Sequence, residues 1–168
     1  MGIATRYVWV GLALLAAGCA SAPPPPVGVA ARTGIAAAAT CRTPSVTIAF
    51  DFDGAPQHAC AITGDRDVTL LVTPEHAPPI NPSPWYAFRY EATGDAPVSV
   101  TLRYLGGDHR YAPKLAGKAG EWREVPVETA ADGSSAVLRL PPGQGVVAAQ
   151  EIVTPDDAAA DLARWSAA

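Results

Sequence analysis

Hydrophobic and polar residues alternate along this chain in short runs divided by turn residues. Val46, Ile48, Phe50 and Phe52 alternate with Thr47, Ala49 and Asp51. That is the period-2 pattern of a half-buried strand, and Asp53-Gly54 closes it with turn chemistry. His58–Ile62 alternates more weakly, and a clearer strand follows over Val68, Leu70 and Val72 after a Gly64-Asp65 turn. Trp85-Tyr86-Ala87-Phe88-Arg89-Tyr90 carries aromatic residues on both parities. Successive side chains of a strand point to opposite faces, so this stretch predicts a central strand packed between two layers. Val98, Val100, Leu102 and Tyr104 alternate again, and Trp122–Val127, Ala136–Leu140 and Val146–Val153 complete the series.

Eight short strands at this spacing indicate an antiparallel sandwich or barrel. We expect an all-β chain, an antiparallel β-sandwich of about eight strands over residues 45–153. Glu75–Pro84 is too rich in proline for a sheet interior. Leu105–Gly120 reads as a long irregular loop, which in a compact domain is often functional. Residues 154–168 change character. Thr154 can cap a helix, with Pro155 first and Asp156 and Asp157 in its first turn. Ala158, Leu162 and Trp165 then share one face. The expectation is a short helical turn that docks on the sheet, is covered by something further, or starts a linker.

The N-terminal end is organised for export. Arg6 precedes an apolar run, Tyr7–Ala17, that is shorter than the roughly 20 residues of a membrane-spanning helix. Leu15-Ala16-Ala17-Gly18-Cys19 matches a bacterial lipobox, with Ala16 where a large aliphatic residue is preferred. The alternative is a plain secretory signal cut near Ala20–Ala22, which Pro23 disfavours. Residues 1–18 are therefore expected to be a lipoprotein signal, with Cys19 as the lipid attachment site. Residues 19–44 form a Pro/Ala-rich tether that Pro23–Pro26 stiffens. The expected location is the bacterial cell envelope, anchored by lipid on the periplasmic face.

Composition narrows the partners. Cleavage removes Arg6 and no acid, moving the formal charge from −4 to −5. Nucleic-acid binding needs a basic face, so no nucleic-acid partner is expected. Once Cys19 is acylated, Cys41 and Cys60 remain in an oxidising compartment where they can pair. Were the runs on either side of Gly54 a hairpin, Cys41 would lie on the order of 26 Å from Cys60 at ~3.3 Å per residue. A disulfide tolerates about 7 Å between Cα atoms, so the pairing requires Thr40–Pro44 to double back and is left open.

No catalytic set is visible. Asp51-Phe52-Asp53-Gly54 contains the letters of a kinase magnesium motif without its companion motifs. His58, His76 and His109 stand in no His-x-x-Glu pair. His58 and Cys60 are two apart on a strand and share a face, with a third ligand left to come from elsewhere by folding, such as His76 or His109. His109 and Arg110 in the long loop can contact an anion, though a solvated loop histidine is the plainer account. Trp85 and Trp122 suit either a ligand groove or the core. We expect no catalytic, cofactor or metal residues in this chain.

The order of motifs resembles a known family. Ile48–Gly54, the Trp85–Tyr90 strand, Val100–Tyr104, Tyr111-Ala112-Pro113, Trp122–Pro126 and Val146–Val153 are similar, in sequence order, to the N-terminal β-sandwich domain of cytosolic-type zinc carboxypeptidases of the carboxypeptidase A superfamily. The family's zinc ligands, substrate-binding Arg and catalytic Glu belong to the following domain, so the resemblance carries over no catalytic residue. The family's Pro-Tyr near the junction is replaced by Thr154-Pro155. The resemblance implies a non-catalytic accessory domain, alone or as a truncated product, partnered by a carboxypeptidase-type catalytic domain in cis or in trans. Zinc would reside in that absent domain. The alternative is a stand-alone envelope lipoprotein that binds peptide or glycan through Leu105–Gly120 and nearby aromatics.

Overall fold

A computed structural model describes residues 38–56, 58–74, 83–117 and 120–167. The signal segment, Cys19, the tether up to residue 37, and residues 75–82 with His76 lie outside the described residues. Eleven strands and one helix follow in order: β1 Thr40–Arg42, β2 Val46–Ala49, β3 Ala59–Ile62, β4 Asp67–Val72, β5 Ala87–Ala92, β6 Val98–Tyr104, β7 Lys114–Ala116, β8 Trp122–Glu124, β9 Val127–Thr129, β10 Ser135–Leu140, β11 Gly143–Ala148 and α1 Pro155–Ser166.

The strands form two sheets. One has the order β1-β2-β5-β11-β7-β8, the other β3-β4-β6-β10-β9. Every pairing is antiparallel except β4 with β6, which run parallel with Leu70 opposite Leu102. The core is the set of inward positions that alternation predicts. Val46 and Ile48 of β2, Tyr86, Phe88 and Tyr90 on and before β5, and Val147 of β11 face one way. Val68, Leu70 and Val72 of β4, Val98, Val100 and Leu102 of β6, and Ala136, Leu138 and Leu140 of β10 join them in one buried cluster. Fully burying one such large apolar side chain is worth about 1.5–3 kcal/mol, so this cluster is the main stabilising term.

Several boundaries differ from expectation for local reasons. The Trp122–Val127 run is broken at Val125-Pro126. Pro126 has no N–H for a ladder, and Val125 donates instead to the Pro113 carbonyl (2.9 Å). β8 and β9 thus fall in different sheets. The Leu105–Gly120 loop contains β7, which pairs Leu115 with Val147 and buries it. Gly145 allows this close approach: a Cβ there would meet Leu115 Cδ1 at 2.6 Å and the Ala116 carbonyl oxygen at 2.8 Å. β5 is central in its sheet, but its second face is not packed under a layer. Arg89 there is half-buried and Glu91 is exposed.

Another difference decides the cysteines. β2 and β3 are not a hairpin; the chain passes from one sheet to the other around Gly54, whose φ of 87° needs a residue without Cβ. β1 doubles back on β2, setting Cys41 opposite Ile48. β1 and β3 are edge strands of opposite sheets, and Cys41 and Cys60 are disulfide-bonded across the sandwich with Cα atoms 6.2 Å apart.

The C-terminal segment is a full helix of 12 residues. Thr154 Oγ1 accepts from the Asp157 N–H (3.2 Å) and Asp157 Oδ2 accepts from the Thr154 N–H (2.9 Å), a reciprocal capping box. No residue of α1 is buried, so docking on the sheet is not how its apolar face is satisfied.

Cross-linking residues 19 apart in sequence removes loop-closure freedom from the unfolded chain. Reduction is expected to lower the unfolding free energy by about 3 kcal/mol. Urea denaturation with and without reductant measures this, and coincident curves would contradict the staple.

Candidate functional site

Three places concentrate chemistry-bearing side chains. The first surrounds the disulfide. His58 is buried, with its ring edge-on to Phe50 at a centroid distance of 5.5 Å. Its Nε2 has no hydrogen-bond partner. Burial pushes its pKa down to about 4, against a hydrogen bond with the Leu71 backbone that raises it. His58 and Cys60 are two residues apart at the β3 edge of the sheet, and the Cys60 sulfur is taken by Cys41. The set therefore offers one neutral imidazole nitrogen. A catalytic zinc needs three protein ligands. Among the described residues no three His, Cys, Asp or Glu side chains come together, and His76 lies outside them.

The second place is the end of the sandwich where β5 begins and β6 ends. Tyr104 Oη lies 2.9 Å from His109 Nδ1, and Ser83 Oγ lies 2.8 Å from Tyr111 Oη. Tyr86 is fully buried beside Tyr104 and Tyr111, and its hydroxyl makes no well-formed hydrogen bond. Burial first, then the neighbouring Tyr104 and Tyr111, pushes the Tyr86 pKa far up. Burial likewise raises Tyr104 and lowers His109. Tyr86, Tyr104 and His109 are therefore neutral at ordinary pH and cap the core with polar atoms. His109 is thus tied to Tyr104 rather than solvated, as a loop histidine was expected to be. Alternation marks Tyr86 and Tyr104 as inward residues at the ends of β5 and β6, but the two strands lie in different sheets, so only the tertiary fold brings them together.

The third place is the outer face of the six-stranded sheet. Arg42, Thr47, Glu91 and Gln144 stand in register across β1, β2, β5 and β11. They line an open groove of ≈ 550 Å³ together with Ser45 and Thr93. The next rows are internally satisfied. Arg89 pairs with Asp51 at 3.4 Å and lies over the Phe52 ring at 5.1 Å, and Lys114 pairs with Glu124 at 3.1 Å. Asp51 therefore serves an ion pair on the sheet face. Trp85 donates its indole N–H to the Gly54 carbonyl (2.9 Å) and lines a different groove of ≈ 510 Å³ with Pro56, Ile152 and Val153.

No protein family matches the chain, and no curated protein matches it. Among solved structures, a metallo-carboxypeptidase from Burkholderia cenocepacia is similar in fold, with a TM-score of 0.56 and 17% identity. The match covers 71% of this chain and 33% of that one. The chain thus spans about a third of the length of the structure it matches. At that identity the likeness shows a related fold, and the fold is the β-sandwich described above.

The enclosed His58 predicts a pH dependence. An unfolded imidazole titrates near 6.5, whereas in the fold it titrates at about 4. Between those values the unfolded chain binds more protons, so stability is full above pH ~6.5 and falls as pH drops toward 4. At about 1.4 kcal/mol per pKa unit the loss approaches 3 kcal/mol. Denaturation between pH 4 and 7 should show this slope, and His58→Gln should flatten most of it. His109→Gln, which removes a slope of the same sign, separates the two histidines. A slope untouched by His58→Gln would contradict the assignment.

Proposed function

We propose that this chain is a non-catalytic accessory domain of a zinc metallocarboxypeptidase system. It packs beside a catalytic domain, in cis or in trans, and helps shape access to that domain's cleft. The observation that carries the reading is the sandwich's likeness to one third of a metallo-carboxypeptidase chain. The ordered motifs from Ile48 to Val153 support it, because they resemble the domain that precedes the catalytic one in that superfamily. The chemistry agrees: the two described cysteines are bonded, His58 is enclosed, and Tyr86 and Tyr104 are neutral and inward. Proteolysis belongs to the partner in this reading. The lipobox at Cys19 adds an envelope location, with acyl chains holding the sandwich to a membrane through the tether.

A second reading, a stand-alone envelope lipoprotein that binds peptide or glycan, is favoured by one feature. Arg42, Thr47, Glu91 and Gln144 line the outer groove, and among the described residues no side-chain hydrogen bond or ion pair engages them. In this reading the ligand lies on the sheet face rather than on Leu105–Gly120.

Two measurements test these readings. The purified chain should release no C-terminal residue from unblocked peptides, with amino-acid release followed by mass spectrometry; turnover abolished by a chelator would overturn the accessory reading. Cys19→Ala should move the protein from the membrane to the soluble fraction, and unchanged sedimentation with membranes would count against acylation.

A further inference from the structure

The outer face of the six-stranded sheet is one continuous surface. Its groove of ≈ 550 Å³ shares Arg42, Thr47 and Glu91 with a neighbouring depression of ≈ 200 Å³ that reaches Asp51 and Arg89. It shares Glu91 and Gln144 with another of ≈ 130 Å³ that reaches Ala116 and Val146. Strand register explains the continuity. Arg42, Thr47, Glu91 and Gln144 form one row across the strands, and Thr40, Ala49, Arg89, Val146, Ala116 and Trp122 form the next. Residues directly opposite on antiparallel strands put their side chains on the same face. Trp122 therefore stands on this face at the β8 edge, half-buried and outside the core clusters.

The chemistry of this face selects among ligands. Arg42 and Arg89 balance Asp51 and Glu91, so the lining has no excess charge for an acidic or a basic partner. An extended peptide is held by backbone hydrogen bonds to a sheet edge. β2, β5 and β11, which floor the groove, are paired on both sides and have no edge to lend. What remains is side-chain hydrogen bonding over small residues such as Ala49, Ala92 and Ala116, with an indole at one end. Glu91 only accepts, whereas the Gln144 amide also donates. The two are directly opposite in register, which sets their Cβ atoms about 4.5–5.5 Å apart. An acceptor beside a donor at this spacing complements the N–H and C=O of one acetamido group. Thr47 and Arg42, next in the row and without partners among the described residues, suit ring hydroxyls. The Trp122 indole offers a flat apolar surface to the C–H face of a sugar ring.

We propose that this sheet face binds a chain of N-acetylated hexosamine sugars, laid across the strands from Arg42 toward Trp122. This rests on the second reading above, in which the ligand lies on the sheet face, and names that ligand. Five strand spacings separate β1 from β8, roughly 24 Å at ~4.8 Å each, a span that calls for an oligosaccharide rather than a single sugar. Glu91 and Gln144 hold an acetamido group near the middle of the chain, and Trp122 stacks on a later ring. The envelope location proposed from Cys19 supplies a source, because bacterial cell walls are built of N-acetylated hexosamines.

Isothermal titration of the full chain, purified in detergent, with the hexamer of N-acetylglucosamine tests this. Binding is expected, and Glu91→Ala and Trp122→Ala should each weaken it at least fivefold. Arg103→Ala, exposed on β6 in the other sheet, should leave it unchanged, as should added salt, because the ligand is neutral. Cellohexaose, with a hydroxyl in place of each acetamido group, should bind at least tenfold more weakly. The substituted residues are exposed or half-buried, so circular dichroism should show each variant folded. Binding that survives both substitutions, or falls equally on Arg103→Ala, overturns the proposed surface. Equal affinity for cellohexaose overturns the acetamido recognition and with it the proposal. Penta-alanine bound in place of the sugar, and lost on Glu91→Ala, makes a peptide the ligand; that refutes the glycan and leaves the sheet-face reading standing. Binding of neither probe ends both.

Discussion

The structure depends on one constraint: every second residue of its long strands must leave water at the same time. Tyr86, Phe88 and Tyr90 supply the widest part of that face, opposite Leu70, Val100, Leu102 and Leu138 of the other sheet. Sheets packed face to face interlock their inner side chains across about 10 Å, which large aromatics fill from one side. Register follows from this. A slip of one residue in β5 would put Arg89 into the core and Phe88 in solvent. The paired neighbours β2 and β11 hold the same phase, with Ile48 opposite Tyr90 and Val147 opposite Phe88.

Around that core the polar groups mostly secure ends and edges. Asp65 accepts from the Ser45 amide (3.0 Å) and hydroxyl (2.5 Å), tying turns of opposite sheets together, and these bonds hold its carboxyl below the usual range. Arg66 donates to the carbonyls of Ala96 and Thr93 at the same end. The disulfide joins the two edge strands that no ladder connects. Tyr86, Tyr104 and His109 close the other end in neutral form. The unsatisfied apolar surface lies where the chain leaves the sandwich.

How much of this could be read from the residues depends on whether the signal is local. Alternation at Val46–Phe50, Val68–Val72, Tyr86–Tyr90 and Val98–Tyr104 marks strands and their buried faces directly, and all of these positions except Thr47, Ala49, Thr69, Arg89, Ser99, Thr101 and Arg103 are buried. Strands of three residues leave too little alternation to detect, so β1 and β7 were invisible. The parallel pairing of β4 with β6 and the passage from β2 to β3 are long-range choices that no short pattern encodes. The cysteine question was of the same kind. The 26 Å separation assumed a hairpin around Gly54, and the fold instead sends β2 and β3 to different sheets. The Trp122–Val127 break was legible in Pro126, whose missing N–H forbids a continuous ladder. For the site, the absence of a spaced ligand motif was readable, whereas the meeting of Tyr86, Tyr104 and His109 needed the tertiary fold.

The central claim is that this sandwich supports metal chemistry in a partner and holds none itself. Metal analysis by mass spectrometry on the purified, dialysed chain tests that most directly. The account predicts zinc far below one equivalent, unchanged on reduction of Cys41–Cys60. One tightly held equivalent, lost on His58→Ala, would contradict it.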